Sequence, residues 1–197
     1  MMKYLKSRYT ISIFCILAIC IVLGAWATGA ITSALAAHTA PKPAPAIKLA
    51  TLRGDIYTIG IPAGWSVKKA SVTSITFLTT SPRRHNTTTL LVETVTSKGA
   101  VSSKGAVQGG LTGAKKSAKS FRIKNVPATV IINGVRWDEG AATISDGHTS
   151  FVIVIIAARH PRNAHKLVAI IRIAKVSDFN SVDAREFKQI LRSFRFV

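Results

Sequence analysis

The chain has 197 residues and a formal net charge of +19, from 27 lysines and arginines against 8 acidic residues. Its two cysteines, Cys15 and Cys20, lie in an apolar leader, which excludes a disulfide framework, a thiol nucleophile and a thiolate metal site from the rest. Such a charge favours contact with anionic surfaces, although a basic solvated surface serves solubility equally well.

Residues 1–36 predict a targeting segment. A short basic stretch is followed by an uncharged, strongly apolar one. Ala34-Leu35-Ala36 fits the small-x-small rule for signal peptidase, with cleavage after Ala36. The apolar stretch is also long enough to span a membrane, so a retained N-terminal anchor is an open alternative.

A third alternative for the leader is lipidation at Cys20. Leu17-Ala18-Ile19-Cys20 is similar to a bacterial lipobox, but Ile19 stands where a small residue is expected. All three alternatives place the remaining chain outside the cytoplasmic membrane, since a basic N-terminus stays inside. Residues 37–47, rich in Pro and Ala, are predicted to be an extended linker before a domain at 48–197.

The first half of this domain is predicted to be mostly strands. Lys48–Leu52 and Ile56–Ile61 flank a short turn and indicate a hairpin. Further strands are expected from Trp65, at Val72–Thr79 and at Thr87–Ser97, with an exposed basic turn at residues 81–86 between the last two.

A helix is predicted next. Val107, Leu111, Ala114, Ala118 and Phe121 recur at helical spacing and form one apolar stripe. Several glycines weaken the helix, and they either allow it to approach a sheet closely or leave its first half frayed.

The second half contains the strongest strand signals. Asn133-Gly134 predicts a tight hairpin between strands at Val126–Ile132 and Val135–Ile144. Phe151–Ala158 is apolar throughout, which is typical of a central strand covered on both faces. Leu167–Ala174 is nearly as apolar, and these strands together indicate an antiparallel meander.

The chain closes with a second predicted helix, in which Ser181 or Asp183 could provide the N-cap and Asp183 with Glu186 has capping-box spacing. Its buried stripe is expected to contain Phe187, Ile190, Leu191 and Phe194. With one helix for each face of the sheet, the predicted fold class is α+β, an antiparallel sheet with helices on both faces (an α/β/α sandwich), preceded by a hydrophobic leader helix.

Three motifs in order resemble a known superfamily. Tyr57 to Trp65 reads Tyr-x-Ile-x-Ile-Pro-x-Gly-Trp, Asn133 to Trp137 reads Asn-Gly-hydrophobic-x-Trp, and Ile190 to Phe194 reads Ile-Leu-x-Ser-Phe. Together they resemble the PsbP-like superfamily, which shares its fold with the Ran-binding Mog protein and LpqN-type exported lipoproteins. The resemblance implies an α/β/α sandwich and a non-enzymatic binding or assembly role.

The sequence offers little catalytic chemistry. Asp138, Glu139 and Asp146 are the main acidic group, but adjacent residues on a strand point to opposite faces, so ion pairs with Arg136 and other bases are expected. His160 and His165 share a loop without a nearby carboxylate to complete a metal-ligand set. We therefore predict no catalytic residues, no metal and no cofactor.

The best binding candidate is the polar side of the first helix and the residues that follow it. Closely spaced cations there can attract phosphates or lipid headgroups, and a solvated helix face is the simpler alternative. Few aromatic residues are interleaved, so specific nucleic-acid binding is not expected. The predicted polyanion patch comprises Lys115, Lys116, Lys119, Arg122 and Lys124.

The expected function is therefore an exported, non-enzymatic binding or assembly module at the outer side of the cytoplasmic membrane. Its expected partners are a membrane surface, an anionic envelope polymer or an envelope protein, with no disulfide-linked partner. Two alternatives stay open: a hydrolase with a dispersed carboxylate and histidine site, and a structural subunit of an envelope complex.

Overall fold

A sheet with two strands that are apolar on both sides dominates the fold. The computed structural model describes residues 47–69, 74–79, 88–99 and 102–197. The predicted leader, most of the linker and the basic turn at 81–86 lie outside the described residues, as does the predicted leader helix. The described part falls within one unit, Ala46–Val197, and no helix in it is both long and apolar enough to cross a membrane.

The large sheet is antiparallel and has the order β3-β4-β5-β10-β9-β8-β6, with β7 also paired to β8. A smaller sheet has the order β1-β2-β11. The strands are β1 Leu49–Arg53, β2 Tyr57–Pro62, β3 Trp65–Lys69, β4 Ser74–Thr79, β5 Thr89–Thr96, β6 Ser120–Lys124, β7 Thr129–Ile132, β8 Val135–Ser145, β9 Ser150–His160, β10 Asn163–Lys175 and β11 Arg195–Phe196.

The helices are α1 Ser103–Ser117, α2 Phe179–Val182 and α3 Lys188–Ser193. A π-helical turn, Asp183–Phe187, joins α2 to α3, so that residues 179–193 form one helical run, which we call the C-terminal helical segment. The prediction of an α+β fold on an antiparallel sheet is confirmed, and so are the first hairpin and the meander of β8, β9 and β10.

The strand β9 is buried on both faces, as its unbroken apolar run predicted. Val152 to Ala158 are all buried. On one face, Val154 and Ile156 join a core cluster with Phe187 from the C-terminal helical segment. On the other face, Ile155 lies under Gly110 of α1, because the absent glycine side chain lets the helix come close.

The motifs behind the family resemblance meet in one aromatic cluster. The ring of Tyr57 stacks on Phe194 at a centroid distance of 5.6 Å, and Trp137 meets Phe194 edge-on at 5.0 Å. Asn133, at a φ of 51°, donates from its side-chain amide to the carbonyls of Leu191 and Phe194. Residues distant in sequence thus fix the end of the C-terminal helical segment against the β7–β8 turn.

Two predictions about the helices are wrong. Helix α1 ends at Ser117, so Ala118 is its extended C-cap and Phe121 belongs to β6, a strand that the apolar spacing concealed. The C-terminal helical segment begins earlier than predicted, at Phe179. Asp183 and Glu186 therefore form no capping box and instead contact other parts of the fold.

Two neighbouring glycines of α1 should respond differently to alanine. We expect Gly109→Ala to raise the free energy of unfolding by about 1 kcal/mol, because alanine favours a helix and no atom lies within 4 Å of the added Cβ. Gly110→Ala should gain less or lose stability, because its Cβ would lie 2.7 Å from the buried Ile155 Cδ1. Urea unfolding followed by tryptophan fluorescence measures both, and equal gains would show that α1 does not press on the sheet.

Candidate functional site

The five predicted patch cations are all exposed, but they do not share a helix face. Lys115 and Lys116 occupy the last turn of α1, Lys119 follows the helix, and Arg122 and Lys124 lie on β6. We call this set the basic edge band, because β6 is the edge strand next to β8 in the large sheet.

The strand register divides the basic edge band between the two sides of the sheet. Arg122 pairs with Thr143 and Lys124 with Ala141, and Ala141 belongs to the core on the side away from α1. Paired residues of antiparallel strands project to the same side. The two β6 cations therefore project away from α1, and the band wraps around an edge of the sheet where the sequence indicated a single face.

Local structure explains part of this arrangement. Lys115 and Lys116 are placed favourably at the C-terminal end of the helix dipole. The backbone N–H of Lys119 donates to the Ser145 carbonyl, which joins the end of α1 to the end of β8. The lysine side chain extends over Gly147, in the β8–β9 turn. Lys119 thus lies beside the β8–β9 turn.

The acidic residues, by contrast, are used within the fold. Asp138 accepts a hydrogen bond from the Ser103 hydroxyl, Asp146 accepts from the backbone of its own turn, and Glu186 accepts from the Trp65 indole at 2.7 Å. Ion pairs within the described residues join Lys166 to Asp55, Arg172 to both Glu139 and Asp183, and Lys188 to Asp183. In the part of the chain that the structure describes, no ion pair involves the basic edge band.

A buried arginine contacts two of these carboxylates. Arg172, on β10, is 7% exposed and lies 3.3 Å from a Glu139 oxygen and 2.5 Å from an Asp183 oxygen. Burial raises the pKa of the Glu139 carboxyl, and the positive charge of Arg172 opposes this rise. The sequence predicted an ion pair with Arg136 or another base, and the base that Glu139 contacts is Arg172, because the side chain points to the face where Arg172 lies.

The predicted acidic group is therefore dispersed. Asp138 points to the α1 face and Glu139 to the opposite face, which confirms the alternation expected for neighbours on a strand. Asp146 lies in the β8–β9 turn, where the N–H groups of Thr149 and His148 lower the pKa of its carboxyl. Each of these carboxylates thus has a partner of its own.

The two histidines of interest differ in their surroundings. His160 is buried in β9, accepts the Arg162 N–H at Nδ1 and lies 3.2 Å from the Val197 carbonyl through Nε2. His165 lies on β10 and is exposed. Within residues 47–69, 74–79, 88–99 and 102–197, no three His, Cys, Asp or Glu residues form a group that could hold a metal ion.

The comparisons with known proteins show the fold. No protein-family model matches the sequence, and no curated protein does either. Among solved structures, the chain is similar to the Ran-binding protein Mog1p of Saccharomyces cerevisiae, with a TM-score of 0.52 and 10% identity over 76% of this chain and 96% of that one.

A second similar structure is LpqN of Mycobacterium tuberculosis, which is described as involved in cell envelope biogenesis. Its TM-score is 0.53, with 11% identity over 77% of this chain and 91% of that one. A Bacteroides thetaiotaomicron protein matches at a TM-score of 0.48 and 11% identity, over 74% of this chain but only 47% of that one. The chain thus has the Mog1/PsbP-like fold, as the motifs implied. Neither of the two names, Ran-binding or envelope biogenesis, describes a catalytic activity.

The opposite pKa shifts of two carboxyls give a pH prediction. The folded-state pKa of Glu139 lies above its ordinary 4.5, so its ionisation destabilises the fold. The stability of the wild type relative to Glu139→Gln should therefore fall as the pH rises through that raised pKa.

Asp146 provides a control of opposite sign. Its pKa is lowered from 3.8, so the stability it contributes is present above that value and is lost as the pH falls through the lowered pKa. The stability of the wild type relative to Asp146→Asn should therefore fall as the pH is lowered. Urea unfolding of the wild type and the two variants, at pH values below and above these pKa values, measures both stability differences. If both differences change with pH in the same direction, the two pKa shifts are not opposite.

Proposed function

We propose that this domain is an exported, non-enzymatic binding or assembly module at the outer side of the cytoplasmic membrane. Its proposed partner is anionic: lipid headgroups, a glycan or an acidic protein. The leader sequence supports export, and the fold that the chain shares with Mog1p and LpqN supports a role in binding or assembly.

The observation that carries the proposal is the unequal placement of charge. The chain has only 8 acidic residues, and most of their carboxylates contact a base, an indole, a hydroxyl or a backbone N–H within the fold. The cations of the basic edge band are exposed and form no such ion pair among the described residues. The net charge is therefore presented outward, where it raises the local concentration of anionic partners.

The alternative of a hydrolase has less support. General acid–base catalysis needs a carboxylate or histidine with its functional atoms directed at a substrate. Glu139 is instead held by Arg172, Asp138 by Ser103, and His160 by backbone groups on both sides of its ring. These contacts give the two carboxylates and the histidine a role in stabilising the fold.

Neutralising the α1 end of the basic edge band should weaken binding to anions. We expect Lys115→Gln, Lys116→Gln and Lys119→Gln together to cost about 3 kcal/mol, at about 1 kcal/mol per cation near an anionic surface. That is a loss on the order of a hundred-fold in affinity. Full-length protein can be titrated with polyphosphate and with phosphatidylglycerol vesicles at several salt concentrations, and the variant should show the shallower salt dependence.

A variant with the same change of charge separates the band from net charge. Lys68, Lys98 and Arg162 are also exposed, on the opposite edge of the large sheet or at its opposite end. Replacing all three by glutamine should preserve most of the affinity for polyphosphate and for anionic vesicles. Equal losses in the two triple variants would mean that net charge alone drives binding, and no loss in either would contradict an anionic partner.

A further inference from the structure

The two most exposed large apolar side chains in the described part lie on one edge of the large sheet. Ile123 on β6 is 61% exposed and Ile131 on β7 is 74% exposed. Both strands pair with β8, β6 along its second half and β7 along its first. The two isoleucines therefore belong to the same border of the fold as the basic edge band.

The register places both isoleucines on the same side of the sheet. Ile123 pairs with Ala142 and Ile131 with Arg136, which are six positions apart on β8. At about 3.3 Å per residue, the two side chains are separated by roughly 20 Å along the edge. A ligand that covers both must therefore be extended.

Cations accompany both isoleucines. Arg122 and Lys124 flank Ile123 in sequence and project to the other side of β6, while exposed Arg136 pairs with Ile131. Asp138, two positions further along β8, is the nearest carboxylate in the register, and Ser103 binds it. The edge thus combines exposed apolar groups with positive charge.

Simpler occupants explain only half of this combination. Charged residues on an edge strand oppose pairing with another sheet, which accounts for Arg122 and Lys124 but not for two exposed isoleucines. A soluble polyanion would contact the cations and leave the isoleucines in water. A second copy of this chain would bring two strongly basic edges together.

We propose that this edge, comprising Ile123, Ile131, Arg122, Lys124 and Arg136, docks edge-on to an anionic lipid bilayer. The isoleucines enter the boundary between headgroups and acyl chains, and the cations contact lipid phosphates. A bilayer is extended enough to receive both isoleucines together. The inference rests on the proposed anionic partner and narrows it to a lipid surface.

An environment-sensitive fluorophore tests the insertion directly. In a full-length chain carrying Cys15→Ser and Cys20→Ser, the variants Ile123→Cys, Ile131→Cys and Val67→Cys would each be labelled with a nitrobenzoxadiazole group. Val67 is 37% exposed on β3, the opposite edge of the sheet, and serves as the matched control. Phosphatidylglycerol in phosphatidylcholine vesicles should shift the emission to the blue at positions 123 and 131, and not at 67.

The outcomes separate this inference from the proposed function. If the lysine-dependent binding to anions persists but labels at 123 and 131 stay in water, the edge docking is wrong and a glycan or acidic protein becomes the partner. A shift at all three positions, or an equal shift on pure phosphatidylcholine, would also overturn it. Loss of both anion binding and emission shift would overturn the two proposals together.

A second pair of variants avoids the label. Ile123→Ser with Ile131→Ser should weaken partition onto phosphatidylglycerol vesicles by about ten-fold, because two apolar side chains no longer leave water. Binding to soluble polyphosphate should be unchanged, since it needs only the cations. Val67→Ser with Val176→Ser, which alters two exposed apolar residues elsewhere, should leave the partition unchanged, and circular dichroism verifies that each variant is folded.

Discussion

The architecture follows from one constraint: the central strands β9 and β10 are apolar on both sides. Burying a valine, leucine or isoleucine side chain stabilises a fold by about 1.5–3 kcal/mol, and these two strands bury nine such side chains and four alanines. A sheet with this content cannot face water on either side. Helix α1 must therefore cover one face and the C-terminal helical segment the other, and glycines at 110 and 140 set how closely α1 approaches.

Arg172 is the exception within that apolar centre, and it orders the polar residues around itself. An unpaired buried charge is costly, whereas a buried pair can be close to neutral when its geometry is good. Here Glu139 from β8 and Asp183 from the C-terminal helical segment both contact the guanidinium group. The contact specifies where the helical segment sits on β10, because a shift along the strand would separate Asp183 from its cation.

The fold could be predicted where local pattern and tertiary structure agree. The apolar run of β9 and the turn at Asn133-Gly134 each determine their own conformation, and the structure has both. Prediction from the sequence failed where one residue fits two patterns. Phe121 continues the helical spacing of α1, but pairing with Ile144 of β8 places it in a strand. Only the position of β8, which is not encoded locally, decides between the two.

The capping box failed for a related reason. Asp183 and Glu186 have the right spacing, but their carboxylates contact Arg172 on β10 and the indole of Trp65 on β3. For the candidate site, too, the sequence identifies the residues but not where they lie in the fold. The identity of its five cations could be read from the sequence. Their distribution around a sheet edge could not, because it depends on the strand to which β6 pairs.

The surface that we propose for binding follows from how the fold uses its other side chains. Both faces of the central sheet are committed to packing, and the few carboxylates are committed to positions inside the fold or to turns. In the described part, the edges and ends of the sheet therefore remain available to a partner. They carry cations that ion pairs within the fold do not neutralise. An exposed edge can lie along an extended surface. The partner that we propose is accordingly a broad anionic surface, and the isoleucines at 123 and 131 are the groups that would distinguish a lipid surface from a soluble polymer.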